Sequence, residues 1–370
     1  MGQGNLQGIR EQADPAVNRI RVVHIDSGST WRGGQRQVLL LALGLRERGH
    51  QQYLIGAPQS PLVEKARAAG LAVAAVPMRA DWDLRAVNQI RSRLKTWRPD
   101  IIHAHDARAH AMAMLALMGR RGTPLVVSRR VPFTPRSARL KYGPRVARFI
   151  AISEAVKKAM VDGGVEAGRI DVVHSGIDKP STAAPPRDWR KELGWPAESV
   201  LCGMVGAMTV EKGTDLLEPI CRAIPAEARE LVRLVLLGGE AGGIVSIGGI
   251  PAYKAGFVEA ITPAVAGLDI MFHPSRAEGL GTAVLDAMAV GVPPVAFAVG
   301  GLREVITHGE SGFLVPPEDS REFAASAARL VLDRDLRSRF GTAARKRASA
   351  FGADKMTEGV EAVYNRVLRG

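Results

Sequence analysis

The chain has 370 residues, 46% hydrophobic and 24% charged, with a formal net charge of +13. That length exceeds one ordinary domain and the composition supports real hydrophobic cores, so a disordered chain or a small disulfide scaffold is excluded and two domains are expected. The longest apolar stretches are short or broken by proline, glycine and charge, so no membrane span is expected.

Residues 1–18 read as a polar, flexible leader without a secretory apolar segment, and the expected location is cytoplasmic. RIRVVHID (19–26) is a β-rich run, followed by a turn carrying Gly33 and Gly34 and by a helical pattern that closes at Gly49. Asp81-Trp82-Asp83 precedes a further helical run and reads as its cap rather than as a metal-holding D-x-D string. QYLIGA, LAVAAVP, DIIHAHD, PLVVSRR, RFIAIS and DVVHSG continue the alternation of strands with helices. The pattern predicts an α/β domain over 19–178 with a parallel sheet covered on both faces. A proline-rich linker over 179–198 leads to a second α/β domain over 199–352, with strands in VLCGMVGAM, LVRLVLLGG, IVSIGG, DIMFHPS and PPVAFA. A last helical segment covers 353–370, and only analogy with two-lobed α/β architectures places it to return to the first domain. Cys202 and Cys221 lack metal-ligand spacing and read as reduced, buried thiols.

The charge is uneven. Residues 1–178 hold 28 Lys and Arg against 14 Asp and Glu, whereas residues 179–370 hold 22 against 23. No acidic residue lies between Asp106 and Glu154, a stretch that contains Arg129, Arg130, Arg136, Arg139, Lys141 and Arg145. Such a block seeks anionic partners, here an acidic membrane surface or a phosphorylated acceptor. It lacks interleaved aromatics and any recognisable nucleic-acid module, so nucleic acid is not expected as a partner.

The most informative stretch runs from Pro274 to Pro293. IMFHPS leads into a glycine-broken loop with Glu278, and TAVLDAMAVG shows the spacing of a buried helix ended by Gly291 and Pro293. Unpaired amides near Gly281 and Thr282 would favour a phosphate there without a metal. Glu278 and Asp286 are spaced to accept bonds from hydroxyls flanking a bound diphosphate.

This stretch resembles the signature of the retaining nucleotide-sugar glycosyltransferases of family four, Glu-x7-Glu in the setting PS-x-x-EG-x-G-x-x-x-x-EAMA-x-G-x-P. Glu278 and Asp286 occupy its two acidic positions, the second shortened from Glu. The resemblance covers the chain from about Ile20 to Phe351. It implies the GT-B fold, two Rossmann-like domains with parallel sheets facing across a cleft, with the donor on the second and the acceptor on the first. It also implies donor contacts from Gly33, Gly34, Gly206, Lys212, Glu278, Gly279, Leu280, Gly281, Thr282 and Asp286, and catalytic roles for His105, Glu278 and Lys212. Retention would proceed by front-face displacement, with the departing phosphate taking the acceptor proton. No metal or resident cofactor is implied. The donor is a nucleotide-diphosphate sugar, and the acceptor a glycolipid, polysaccharide or small molecule, with cell-envelope glycan synthesis at the inner membrane face as the setting.

Three departures stand out. Ala207 replaces an expected arginine, Arg36 stands where the family often has Glu, and the segment 240–268 is too short for its usual helix, strand and short helix. Ala207, the shortened acid Asp286 and the short 240–268 segment support an alternative, a catalytically weakened sugar-nucleotide-binding protein of the same fold. A nicotinamide-dependent oxidoreductase is disfavoured because no G-x-G-x-x-G follows the first strand. If Glu278 only binds the sugar, Glu278→Ala should abolish transfer and leave the melting temperature nearly unchanged.

Overall fold

The structure, a computed structural model, describes residues 19–119, 122–131, 142–178 and 185–370. In the first lobe β1 (Arg21–Asp26), β2 (Gln51–Gly56), β3 (Ala72–Ala75), β4 (Ile101–Ala104), β5 (Leu125–Arg129), β6 (Val146–Ala151) and β7 (Ile170–Val172) form one sheet in the order β3-β2-β1-β4-β5-β6-β7. Every neighbouring pair is parallel. The crossovers include α1 (Gly33–Glu47), α2 (Pro61–Ala68), α3 (Leu84–Trp97) and α4 (Ala107–Ala116). Ser60, Asp83 and Asp106 cap the last three by accepting first-turn amides, so Asp83 of the D-x-D string is a helix cap. The strand order reverses between β1 and β4, where diverging loops leave a crevice at the carboxyl ends of the strands.

The second lobe orders its sheet β10-β9-β8-β11-β12-β13, from β8 (Val200–Val205), β9 (Val232–Ile247), β10 (Ile250–Gly256), β11 (Ile270–His273), β12 (Pro294–Phe297) and β13 (Phe313–Val315). Its reversal lies between β8 and β11, so the loops carrying Lys212 and Glu278 are neighbours. Cys202 and Cys221 are free and buried in this lobe, and burial pushes both thiols up.

The shortened segment departs from an all-parallel sheet. No helix forms between Val232 and Gly256; β9 continues to Ile247 and turns at Gly248-Gly249, both at positive φ. A two-residue turn can only return a strand antiparallel, and consecutive glycines accept the backbone it needs. Ala252, Tyr253 and Lys254 therefore face Val245, Ile244 and Gly243 in antiparallel sense. On their other side they face Leu234, Val235 and Leu236 in the same order along the chain. A strand thus takes over the bridging done by a helix in the expected fold, and IVSIGG belongs to it.

The chain crosses between the lobes at two adjacent points. Ile177 N donates to Phe351 O, and Ala353 N to Ile177 O. The helix Ala353–Arg369 then lies on the first lobe, where Met356, Val360, Val363 and Tyr364 share a core with Ile20, Val22, Leu41 and Leu45. A larger core joins the lobes directly, since Ile152 and Val156 of the first cluster with Leu280, Val284 and Leu302 of the second. No described helix is long and apolar enough to cross a membrane.

Candidate functional site

Two helix starts face each other where the two crevices meet. The helix Thr282–Ala289 begins after Gly281, whose positive φ of 91° turns the chain, and no side chain caps its first amides. Opposite it, α1 begins at Gly33 without a side-chain cap, and a Cβ on Gly33 would lie 3.2 Å from Thr282 Oγ1. Unpaired amides and the positive ends of two helix dipoles converge there, an arrangement suited to an anion.

Glu278 lies at this junction, only 9% exposed. Its Oε1 accepts from Lys212 Nζ at 2.5 Å and meets His273 Nε2 at 2.8 Å. Burial works to raise this carboxyl, but the His273 hydrogen bond and charge, with the Lys212 ammonium, outweigh burial and hold it at about 2. It is therefore an anion at neutral pH, and Oε2 takes neither of those bonds.

Asp286 has a different partner from the one expected. Its Oδ2 accepts from Arg36 Nη1 at 2.6 Å, and the same guanidinium binds Asp178 Oδ2 at 3.0 Å. Burial raises the Asp286 carboxyl, while Arg36 opposes the rise. In this structure the side chain ties the second lobe to α1 through Arg36. Two departures from the family pattern, Arg at 36 and Asp at 286, thus meet as an ion pair. Their joint occurrence was the signal available in the sequence.

His105 follows β4 and is buried, joined to two other buried imidazoles, His24 and His103. Their nearest ring nitrogens lie within 4.8 Å of one another, yet every one has a hydrogen-bond partner. His24 Nδ1 meets His105 Nε2 at 2.9 Å and His24 Nε2 meets Gln52 Oε1 at 2.7 Å. His103 is held by Tyr364 Oη and Ser128 Oγ. His105 Nδ1 accepts from Arg130 Nη2 at 3.3 Å. Burial lowers all three imidazoles, His24 to about 4 and the others well below the ordinary value, so the cluster is neutral at pH 7. Asp106, next in the chain, caps α4 and binds Ser27.

The structure also fixes the surroundings of the other expected site residues. Gly206 N donates to Leu237 O, so this amide serves the sheet. The Leu280 side chain is buried in the interlobe core, which leaves only its backbone for a ligand. Gly279 is packed so closely that a Cβ would lie 2.0 Å from Arg130 O. Arg129 and Arg130 are half-buried rather than part of an exposed cationic face. Arg129 binds His110 and lies over the Tyr142 ring, while Arg130 turns to His105. Arg145 is half-buried, and Arg136, Arg139 and Lys141 lie outside the described residues. Glu304 accepts from Glu154 N, Ala155 N and His174, bracing a first-lobe helix. The sequence reading missed His273 and His24, whose only signal was their place at or near strand ends beside each reversal of strand order.

Residues 31–179 match the family described as Glycosyltransferase Family 4, and residues 199–333 the one described as Glycosyl transferases group 1. The chain is 31% identical over 226 residues to a D-inositol 3-phosphate glycosyltransferase of Xylanimonas cellulosilytica, covering 56% of this chain and 53% of that protein. It is 29% identical over 314 residues to the protein of the same name from Salinispora arenicola, covering 73% and 69%. It is 28% identical over 290 residues to the sulfoquinovosyl transferase SQD2 of Arabidopsis thaliana, covering 71% and 56%. The matched stretch thus spans about half the length of the first and third of these relatives. Among solved structures, HepE of Anabaena in complex with UDP and glucose superposes with a TM-score of 0.80 at 20% identity, covering 94% of this chain and all of that one. A glycosyltransferase of Rickettsia africae gives a TM-score of 0.80 at 18% identity, covering 95% and 100%. At these identities the likeness speaks for the GT-B fold.

Proposed function

The chain belongs to glycosyltransferase family 4, and from that premise we propose that it transfers a sugar, with retention, from a nucleotide-diphosphate sugar to a glycolipid, polysaccharide or small-molecule acceptor. The observation that carries this reading is Glu278, an anion beside the Lys212 ammonium where two uncapped helix starts face each other. Breaking the sugar-phosphate bond places charge on the departing diphosphate, and aligned donors around that charge are usually the largest catalytic contribution. Lys212 Nζ and the first amides of Thr282–Ala289 are such donors. The Oε2 atom of Glu278 is the acceptor offered to the donor sugar. The names of the relatives support glycosyl transfer, and the UDP bound by HepE supports a nucleotide-sugar donor. His105 acts through Arg130 in this reading, because both its ring nitrogens are already engaged. No metal is assigned a role.

A panel of uridine, guanosine and adenosine diphosphate sugars tests the proposal by thermal shift and by product analysis. A true donor stabilises the fold by mass action and yields free nucleoside diphosphate in the presence of acceptor. Absence of any shift and any transfer across the panel would sink it. The second reading, a weakened sugar-nucleotide binder, is favoured by the Arg36–Asp286 pair, which occupies the expected ribose anchor; binding without turnover would decide for it. Placement on the inner membrane face in envelope glycan synthesis rests on the basic block, and salt-sensitive binding to anionic liposomes tests that part.

A further inference from the structure

Arg130, through which His105 acts, has been given no ligand of its own so far. It follows β5 directly, beside the reversal of strand order, and a Cβ on Gly34 would lie 3.6 Å from its Cδ. Its carbonyl packs against Gly279 of the Glu278 loop. Residue 130 therefore sits between the two lobes, its side-chain stem against the glycine turn of the first and its backbone against the signature loop of the second. Among the described residues its Nε has no hydrogen-bond partner, and its Nη2 donates to a neutral imidazole, His105 Nδ1. Asp26 and Asp106 act on it only through space.

The buried imidazoles explain how the guanidinium is held. Gln52 Oε1 accepts from His24 Nε2–H, so His24 Nδ1 carries a lone pair and accepts from His105 Nε2–H. His105 Nδ1 is then bare and can only accept, and Arg130 supplies that donor. Such a chain fixes the position of the cation without neutralising it. A buried cation whose direct partner is neutral, with Asp26 and Asp106 acting only through space, carries an electrostatic cost that an incoming anion relieves.

We infer that Arg130 supplies, from the first lobe, the guanidinium that grips phosphate oxygens of the donor's diphosphate, standing in for the arginine absent at Ala207. The inference rests on the proposed donor reading. Ala207 is exposed beside the same crevice, so one cation has been removed from one wall and another stands on the facing wall. Arginine suits this position because its planar fork binds two phosphate oxygens while a third N–H keeps the His105 bond.

The test is calorimetric binding of UDP, GDP and ADP, and of the corresponding monophosphates, to the wild-type protein, Arg130→Met and Arg130→Lys. Whichever diphosphate the wild type binds should be weakened roughly ten- to hundredfold by Arg130→Met, the monophosphate much less, with Arg130→Lys in between. Adding Ala207→Arg to Arg130→Met should restore much of the affinity, a rescue that a merely structural arginine would not show. Arg130→Lys carries the comparison if the methionine variant does not fold. Unchanged diphosphate affinity, or equal loss for di- and monophosphates without rescue, overturns the inference. Unchanged diphosphate binding with weakened binding of glycerol 3-phosphate would move Arg130 to an acceptor phosphate. If the wild type binds none of the three diphosphates, it is the donor reading that has failed.

Discussion

Replacing Glu278 with Gln removes the one carboxylate that Lys212 and His273 share. The carboxyl sits at about 2 against an ordinary 4.5, because the contacts to His273 and Lys212 overcome the burial that would raise it. That gap corresponds to about 3 kcal/mol in favour of the ionised folded state. The folded value lies below the unfolded one, so this stability is present in full above about pH 5 and is lost as pH falls toward 2. Glu278→Gln should therefore be less stable than the wild type at pH 7 by about 2–3 kcal/mol, with the difference shrinking steadily toward pH 3. Urea unfolding at pH 7, 5 and 3 reads this through Trp189, which is fully buried in the second lobe. Equal stability at pH 7, or a difference that stays constant down to pH 3, would refute the assignment. A carboxylate that only contacts sugar would leave the melting temperature unchanged, as the sequence alone suggested; the pairing with Lys212 and His273 replaces that expectation.

The Arg36–Asp286 pair is partly buried on both sides, and a double-mutant cycle with Arg36→Ala and Asp286→Ala should show a coupling of about 1–3 kcal/mol in urea unfolding. Additive losses would mean that the two side chains do not interact in solution. Tyr364→Phe removes the hydroxyl that meets His103 Nδ1 at 2.6 Å, leaves a buried nitrogen without its partner and should destabilise the protein by about 1–3 kcal/mol. A loss below about 0.5 kcal/mol in the same assay would show that the bond is not made. In Gly279→Ala the new methyl would meet Arg130 O at 2.0 Å, so the signature loop cannot seat against the first lobe. Transfer should fall at least tenfold with a lowered melting temperature; wild-type turnover would show that the lobes do not meet there during catalysis.

Much of the architecture was legible because it rests on local signals. Alternating β-rich and helical runs announce two parallel α/β lobes, and Leu84–Trp97 is helical over the stretch its apolar spacing marks. The Pro274–Pro293 block gave the loop, the helix start and the carboxylate. Side-chain orientation was less accessible, since it depends on partners distant in sequence. Asp286 is held by Arg36, 250 positions away, and Glu278 by Lys212, 66 positions away. Arg129 and Arg130 read as surface cations because composition records charge and not direction. The β9–β10 turn carried a local signal, two glycines between β-rich runs, but the loss of a helix did not by itself say that a strand would replace it.

The helix Ala353–Arg369 has a consequence for how the molecule is made. During synthesis the first lobe leaves the ribosome with the apolar flank of α1 bare, and its covering is translated only after the entire second lobe. Until then Leu41 and Leu45 remain open to unwanted association, so a fragment cut at the linker should be sticky and poorly behaved. Maturation is therefore a single event for both lobes, closed by the segment that crosses back.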